Sequence, residues 1–545
     1  MKIGTRGSDL ALWQARHVRA LLQQVAGVDA ELVIIHTSGD KDLETPFVGM
    51  TGKGFFTKEI EDALLAGEID LAVHSLKDLQ TVMPDGLMLA AVPERADRRD
   101  ILLIRNDAFD SARPLRLKTG AKVGTSSARR VEQLRFLRHD LVLEPLRGNV
   151  PTRVRKLHEG KYDAILAASA GLDRLGLPLD EFHVYRLPEP LFVPAPAQGA
   201  LGLQIRSNDE ETHRAVAILD SVELREIVYL ERDVLRRLEG GCQLALGTAA
   251  ERTDHGYRLA MFLGFGDSQK PRRVVVNGVD HDLMIEAAVG FAKGEPVPAS
   301  NRLAQLWITR EPERAGDFTK SLNSQRFQVS PVPVFKSRAA GNTDQQKNAL
   351  ANLDSYEWVM FTSQVAVREF KRLMDQYGAT WTADTRRAAV GKKTARAMHE
   401  LGWTVEFVGQ VADAASLAEQ FAFENRGEIG RVLFPCGTIA GNDLEVGLES
   451  AVSRLERLEC YDMDVHPDMT KTMAAAPNPN VIVFTSPQAA RFLLAERPLL
   501  KDCLAVSIGP ATSDALLSLG CPLVYEAFER SLEGTAEVIN GLFTA

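Results

Sequence analysis

The chain has 545 residues, room for roughly three to five domains at ~100–200 residues each. With 45% hydrophobic and 25% charged residues, 41 glycines and 25 prolines, it is globular in composition, neither disordered nor collagen-like nor coiled-coil. A formal charge of −9, from 64 Lys and Arg against 73 Asp and Glu, argues against wholesale binding to nucleic acid or an anionic membrane.

No apolar run approaches the ~18–20 residues that cross a bilayer. Arg6 and Asp9 stand where a signal peptide would need its apolar core, so a cytoplasmic location is expected. The five cysteines (Cys242, Cys436, Cys460, Cys503 and Cys521) are scattered, with no C-x-x-C pair, which fits reduced thiols and no metal site.

Residues 1–215 alternate short apolar runs with helical patterns, which predicts α/β layering with largely parallel strands. Leu32–Ile35 and Leu71–Val73 read as buried strands, and Ala11, Ala15, Val18, Leu22 and Val25 as a helix stripe that Ser8 would cap. The pattern returns at 122–124, 141–143 and 164–167. Pro151 suits the first turn of a helix after Arg147-Gly148-Asn149. Pro188, Pro190, Pro194 and Pro196, ahead of Gln198-Gly199, read as a rigid crossing between lobes. A smaller unit follows over roughly 220–292, and the polar, Pro-rich stretch 293–302 reads as a linker. The second half repeats itself weakly. Phe361-Thr362-Ser363 leads to Gly391-Lys392-Lys393-Thr394, and Phe484-Thr485-Ser486 to Gly509-Pro510-Ala511-Thr512, which suggests two similar α/β lobes.

Charge is uneven. Between Arg95 and Lys156 stand 13 Arg and 3 Lys against 5 Asp and 2 Glu, a local excess of +9. Only Phe109 and Phe136 interrupt that window, too few aromatics for a base-stacking platform, so a small polycarboxylate or phosphate is the expected ligand unless the window is simply a solvated face. Gly124-Thr125-Ser126-Ser127-Ala128-Arg129-Arg130 lies between a strand and a helix, where backbone N–H groups and two guanidinium forks would meet a carboxylate; a plain helix cap with surface arginines is the alternative. Arg6, Arg147, Arg153 and Arg174 occupy comparable loops or first turns. Val73-His74-Ser75-Leu76-Lys77-Asp78 directly follows a strand, which puts Lys77 and Asp78 either at a ligand crevice or in a capped turn. Thr51–Lys58 lacks the residues of a phosphate loop and reads as a lid carrying Lys53 and Lys58, or as plain surface. Cys242, in Gly240-Gly241-Cys242-Gln243, is either an inert buried thiol or a point of covalent attachment.

In their order and number these motifs resemble porphobilinogen deaminase over residues 1–299. They are Thr5-Arg6-Gly7-Ser8, Lys53-Gly54, His74-Ser75-Leu76-Lys77-Asp78, Gly124-Thr125-Ser126-Ser127 with Arg129-Arg130, Arg147-Gly148-Asn149, Pro196-Ala197-Gln198-Gly199 and Gly241-Cys242-Gln243. The sequence departs from the family at Leu79-Gln80-Thr81, where Val-Pro is usual. The resemblance implies a periplasmic-binding-protein-like pair of lobes plus a small α+β domain, with domain 1 at 1–95 and 196–217, domain 2 at 96–195 and domain 3 at 218–292. It also implies a dipyrromethane cofactor in thioether linkage to Cys242, held by Lys77, Ser126, Ser127, Arg129 and Arg130. Asp78 would be a buried catalytic carboxylate, and Arg6, Ser8, Lys53, Arg147, Arg153, Arg174 and Gln198 would hold porphobilinogen and the growing linear tetrapyrrole. Residues 303–545 are similar, more sparsely, to uroporphyrinogen-III synthase, which implies one lobe at 303–335 and 477–545, another at 336–476, and Tyr461 and Thr512 as site residues. The expectation is a monomeric enzyme joining four porphobilinogens to hydroxymethylbilane and closing it to uroporphyrinogen III. A deaminase with a non-catalytic second half, or a solute-binding sensor, is the alternative.

Overall fold

The computed structural model describes residues 1–37, 57–189, 191–239, 244–266, 269–295, 303–322, 325–341, 343–409, 414–425 and 429–543. Lys53 and Cys242 lie outside them. The chain forms two compact units: Met1–Ala304 with Asp317–Gln328 and Asn480–Ala545, and Gln305–Gly316 with Val329–Pro479.

In the first unit the strands are β1 (Lys2–Thr5), β2 (Glu31–Ile34), β3 (Leu71–Ser75), β4 (Leu87–Ala91), β5 (Asp100–Arg105), β6 (Lys122–Gly124), β7 (Val142–Glu144), β8 (Ala164–Ala168), β9 (Phe182–Arg186) and β10 (Leu201–Arg206). They make two five-stranded sheets of one plan, β2-β1-β3-β10-β4 and β7-β6-β8-β5-β9. In the first, β1 runs parallel to β2 and β3, and β10 runs antiparallel to β3 and β4. In the second, β6 runs parallel to β7 and β8, and β5 antiparallel to β8 and β9. The expectation of largely parallel strands therefore holds for only half of each sheet. The chain leaves the first sheet at β4, enters the second at β5 and returns through β10, and each incoming strand runs against its neighbours.

Burial follows position in the sheet. Central β3 buries four of its five residues, whereas β2, expected to be buried, sits at an edge and is exposed at both ends. The helix Asp9–Leu21 buries Ala15 and Val18, and Leu22 continues its stripe, but Val25 is solvent-facing because the chain widens into a looser turn at Leu22–Ala26. Ser8 occupies that helix's cap position without a side-chain hydrogen bond. Asn149 caps Val150–His158 through Thr152 N at 3.0 Å, with Pro151 in the first turn as expected.

Beyond β10, the helix Val222–Arg237 packs on β11 (Leu246–Thr253), which forms an antiparallel meander with β12 (Gly256–Leu263) and β13 (Arg272–Gly278) under the helix His281–Lys293. The later strands are β14 (Ala304–Ile308), β15 (Phe327–Pro331), β16 (Phe335–Ala339), β17 (Trp358–Phe361), β18 (Arg386–Ala389), β19 (Phe407–Val408), β20 (Ile429–Gly437), β21 (Val452–Val465), β22 (Val481–Phe484), β23 (Leu504–Ser507) and β24 (Leu523–Glu526). In the first unit β22, β23 and β24 are parallel neighbours. The second unit holds one sheet, β16-β21-β20-β17-β18-β19.

The internal repeat is visible in the backbone. After β17, Ser363 (φ −153°, ψ 151°) caps the next helix at Ala366 N, and after β22, Ser486 (φ −160°, ψ 155°) caps the next helix at Ala489 N. After β18 and β23 the helices start at Gly391 (φ −178°, ψ 176°) and Gly509 (φ 175°, ψ 177°), and the threonine three residues on, Thr394 or Thr512, is buried. A hydroxyl that accepts from an otherwise orphaned helix N–H explains the serine in both copies.

Candidate functional site: a buried cationic cluster in residues 1–215

The carboxyl end of β3 turns at Leu76–Asp78, and Arg232 of the helix Val222–Arg237 holds that turn. Its guanidinium donates to Leu76 O at 2.7 Å, Leu79 O at 3.1 Å and Gln80 O at 2.7 Å. Leu79, where the sequence departs from the deaminase pattern, is buried, so the substituted segment is fixed by backbone carbonyls and not by the missing proline. Asp78, expected to be buried, is exposed. It stands at the tip of a turn anchored on its other residues. His74 is buried on β3 and bonded to Gln204 Oε1 at 3.0 Å. Burial, with the Arg6 charge assisting, pulls its pKa down to about 4 against the Gln204 hydrogen bond, so it is neutral.

Lys77 reaches from this turn to Gln198 Oε1 at 3.3 Å. Gln198, buried in the crossing between sheets, also donates to Arg98 O at 2.8 Å and Asp100 Oδ1 at 3.2 Å. Its neighbour Gly199 needs to be glycine: φ is +87°, and a Cβ there would lie 2.5 Å from Ala96 O. Asp100, fully buried at the start of β5, pairs with two guanidiniums after β6: Arg129 Nη1 at 2.7 Å and Arg130 Nη2 at 2.6 Å. Burial alone would raise the Asp100 pKa, but Arg129 and Arg130 hold it far below the usual carboxylate range. Arg129 is itself lowered by burial, with Arg130 adding to the shift and Asp100 opposing it.

One carboxylate between two arginines leaves positive charge uncancelled, and further cations border it. Arg153 donates to Gly148 O at 2.8 Å and is half-buried. Burial, and then the charges of Arg130 and Arg147, push its pKa down to about 10 against the pull of Asp78. Lys77 is lowered by burial and by Arg130 and Arg129, with Asp78 and Asp100 opposing. Lys77, Asp78, Arg129, Arg130, Arg147 and Arg153 therefore form one electrostatically connected group spanning the ends of both sheets. Cations crowded this way can hold several carboxylates, and one accessible aspartate among them can stabilise a transient cation.

Not every expected residue joins the cluster through its side chain. The Ser126 hydroxyl is committed to the loop, donating to Leu146 O at 2.9 Å and accepting from Leu146 N at 3.0 Å. Ser127 occupies the cap position of the helix Ala128–Leu137 without a side-chain cap bond. Arg174 donates to Gly199 O at 3.0 Å and lies 3.5 Å from Glu94, with Trp13 beneath its guanidinium at 5.5 Å. It braces the crossing. Sequence reasoning missed Asp100, Arg232 and Glu231. Glu231, fully buried, grips Arg95 through both oxygens at 2.9 Å and accepts from Ala197 N and Ala250 N. An acid directly after Arg98-Arg99 and at the start of a strand was the available signal for Asp100.

In the second unit Tyr461, on β21, is half-buried with Oη 3.5 Å from Ser363 Oγ, and burial raises its pKa. Thr512 is buried in the first unit at the start of the helix Pro510–Ser518. The two are set in different units.

Residues 1–214 match the family model described as "Porphobilinogen deaminase, dipyromethane cofactor binding domain", and residues 316–537 match that for "Uroporphyrinogen-III synthase HemD". The porphobilinogen deaminase of Sulfurimonas denitrificans is 49% identical over 255 residues, 47% of this chain and 80% of that one. That of Maridesulfovibrio salexigens is 42% identical over 299 residues, 55% of this chain and 94% of that one. The crystal structure of uroporphyrinogen-III synthetase from Helicobacter pylori aligns at 18% identity and TM-score 0.31, covering 44% of this chain and 100% of that one. The chain belongs to the porphobilinogen deaminase family and carries a uroporphyrinogen-III synthase domain in its second half.

Proposed function

We propose that the cluster around Lys77, Asp78, Arg129, Arg130, Arg147, Arg153 and Gln198 is the condensing site of a bifunctional tetrapyrrole enzyme, and that Cys242 carries its dipyrromethane in thioether linkage. The chain joins four porphobilinogens into hydroxymethylbilane and closes the product to uroporphyrinogen III. One observation carries the site assignment: buried cations outnumber the single buried carboxylate, Asp100, that they share. The donor set fits a dipyrromethane, whose pyrroles bear carboxylates and no phosphate or metal ligand; Arg129, Arg130 and Arg153 would hold it, with Lys77 beside them. Bound there, the group supplies the pyrrole end from which the chain is extended.

The protein's own residues do the rest. Arginines take the two carboxylates of each incoming porphobilinogen in bidentate geometry, orienting its aminomethyl group towards Asp78. Loss of ammonia leaves a methylene cation conjugated to the pyrrole nitrogen, and the Asp78 carboxylate stabilises that charge. When the new carbon–carbon bond has formed, the α-proton of the attacked pyrrole must leave, and Asp78 is placed to accept it. Lys77, held by Gln198, adds to the local positive potential that retains the polyacidic chain. Water releases the linear tetrapyrrole. In the second half, Tyr461 is assigned a part in cyclisation, and so, separately, is Thr512. The boundaries given above for three deaminase domains and two synthase lobes belong to this reading, as does a monomer working in the cytoplasm; among the described residues no helix is long and apolar enough to cross a membrane.

Cys242→Ser tests the thioether. Intact-mass measurement of the wild type should show added dipyrromethane, while the variant should lack it and form no bilane. An active, unmodified wild type would sink the thioether assignment, and an unmodified wild type that forms no bilane would favour a solute-binding cleft.

A further inference from the structure

If residues 218–292 folded alone, β13 would be an open sheet edge, a row of unpaired N–H and C=O groups of the kind proteins cover. Here β24, within the synthase match, covers it. The strands run antiparallel with Val275 opposite Glu526, Val276 opposite Tyr525, Asn277 opposite Val524 and Gly278 opposite Leu523. Around Glu526 the seam is polar and closed to water. Arg258 Nη2 lies 2.9 Å from Glu526 Oε1, and Asn277 Nδ2 and Ser513 Oγ lie 3.2 and 2.7 Å from Oε2. Glu526 is 1% exposed and Asn277 2%. Towards the other end Arg273 reaches Glu529 at 3.1 Å and Glu537 at 2.9 Å, its guanidinium over the rings of Phe136 and Phe528. Val275 and Phe528 share an apolar cluster with Val193 and Phe262. The helix Leu532–Leu542 approaches His281–Lys293 so closely that a Cβ on Gly541 would lie 2.6 Å from the Phe291 ring.

A carboxylate buried as completely as Glu526 needs its cation and donors, and two of the three partners named above come from the other side of the seam. Separation would also bare the apolar cluster that Val275 and Phe262 form with Phe528. We propose that the β13–β24 seam is a self-sufficient interface, and that it holds the two activities in one particle without the covalent linker. Residues 1–295 and 303–545 are then partners that remain bound when the peptide between them is cut. This rests on reading 218–292 as part of the deaminase.

The test uses the full-length protein with a protease recognition sequence inserted between Pro298 and Ala299, cut after folding. The fragments should co-elute at the mass of the uncut chain at micromolar concentration, even in about 1 M salt, where the Debye length is ~3 Å. Separate elution of the fragments overturns the proposal. In the cut protein, Arg258→Ala with Asn277→Ala should speed fragment separation at least tenfold, while the uncut double variant still forms bilane. No acceleration refutes the role given to these residues. Co-elution without bilane formation by the uncut protein would count against the deaminase reading alone, and separation with bilane formation intact against the seam alone.

Discussion

Asp100→Asn removes the one carboxylate that Arg129 and Arg130 share, keeps the shape of the side chain, and turns a donor towards two guanidiniums. Asp100 is fully buried and its oxygens lie 2.7 and 2.6 Å from the two cations, so the variant leaves like charges facing each other with little water to screen them. Breaking a buried pair by removing one partner costs about 3–5 kcal/mol. Urea unfolding followed by far-UV circular dichroism should show a loss of that size in the transition of the first unit. The pH dependence fixes its origin. The folded-state pKa of Asp100 lies below the unfolded value, so its contribution is complete above pH ~4 and fades as pH falls towards the folded value. Wild type and variant should therefore converge in acid. A difference under about 0.5 kcal/mol at neutral pH, or one that grows on acidification, would refute the argument that Asp100 neutralises these arginines.

Asp78→Asn should lower the rate of bilane formation by about 10²–10⁴-fold, the usual worth of a positioned acid–base group, while intact mass still shows the dipyrromethane in place. Gly199→Ala forces a Cβ towards Ala96 O at φ +87° and should cost about 1–3 kcal/mol of stability, with a rise in KM for porphobilinogen as Gln198 moves away from Lys77. Tyr461→Phe removes the hydroxyl that meets Ser363 and should raise the share of uroporphyrinogen I severalfold in the product mixture, leaving bilane formation unchanged.

The deaminase half was legible because its chemistry is written in contiguous motifs. Lys77-Asp78 and Arg129-Arg130 each follow a short strand, and a strand–loop–helix unit delivers loop residues to one end of its sheet whatever the rest of the chain does. The repeat in the second half was legible for a similar local reason: Ser363 and Ser486 cap helices with nearly the same φ and ψ, so a matching Phe-Thr-Ser stood for a matching backbone. Long-range pairings left no such trace. Arg232 clamps carbonyls more than 150 positions away in sequence, and Glu231 joins the crossing to β11 through backbone N–H groups that carry no side-chain signature. Sheet edges were also hidden. Leu32-Val33-Ile34 is as apolar as a central strand, and only its place beside β1 alone exposes it. Nor does an isolated aspartate such as Asp78 declare its burial; the turn around it, held by Arg232, sets that.

The position of Asp100 explains how such a dense cationic site can fold at all. Arg129, Arg130, Arg153 and Lys77 without any counter-charge would repel one another in a setting that screens poorly. A carboxylate for each would remove the repulsion and also the affinity for an acidic chain. One buried aspartate shared by two arginines and steadied by Gln198 lies between these extremes. It fixes the forks in space, while Arg153 keeps a depressed pKa that a ligand carboxylate would raise again. Binding a polycarboxylate should then stabilise the fold, since the ligand supplies the negative charge that the cluster lacks.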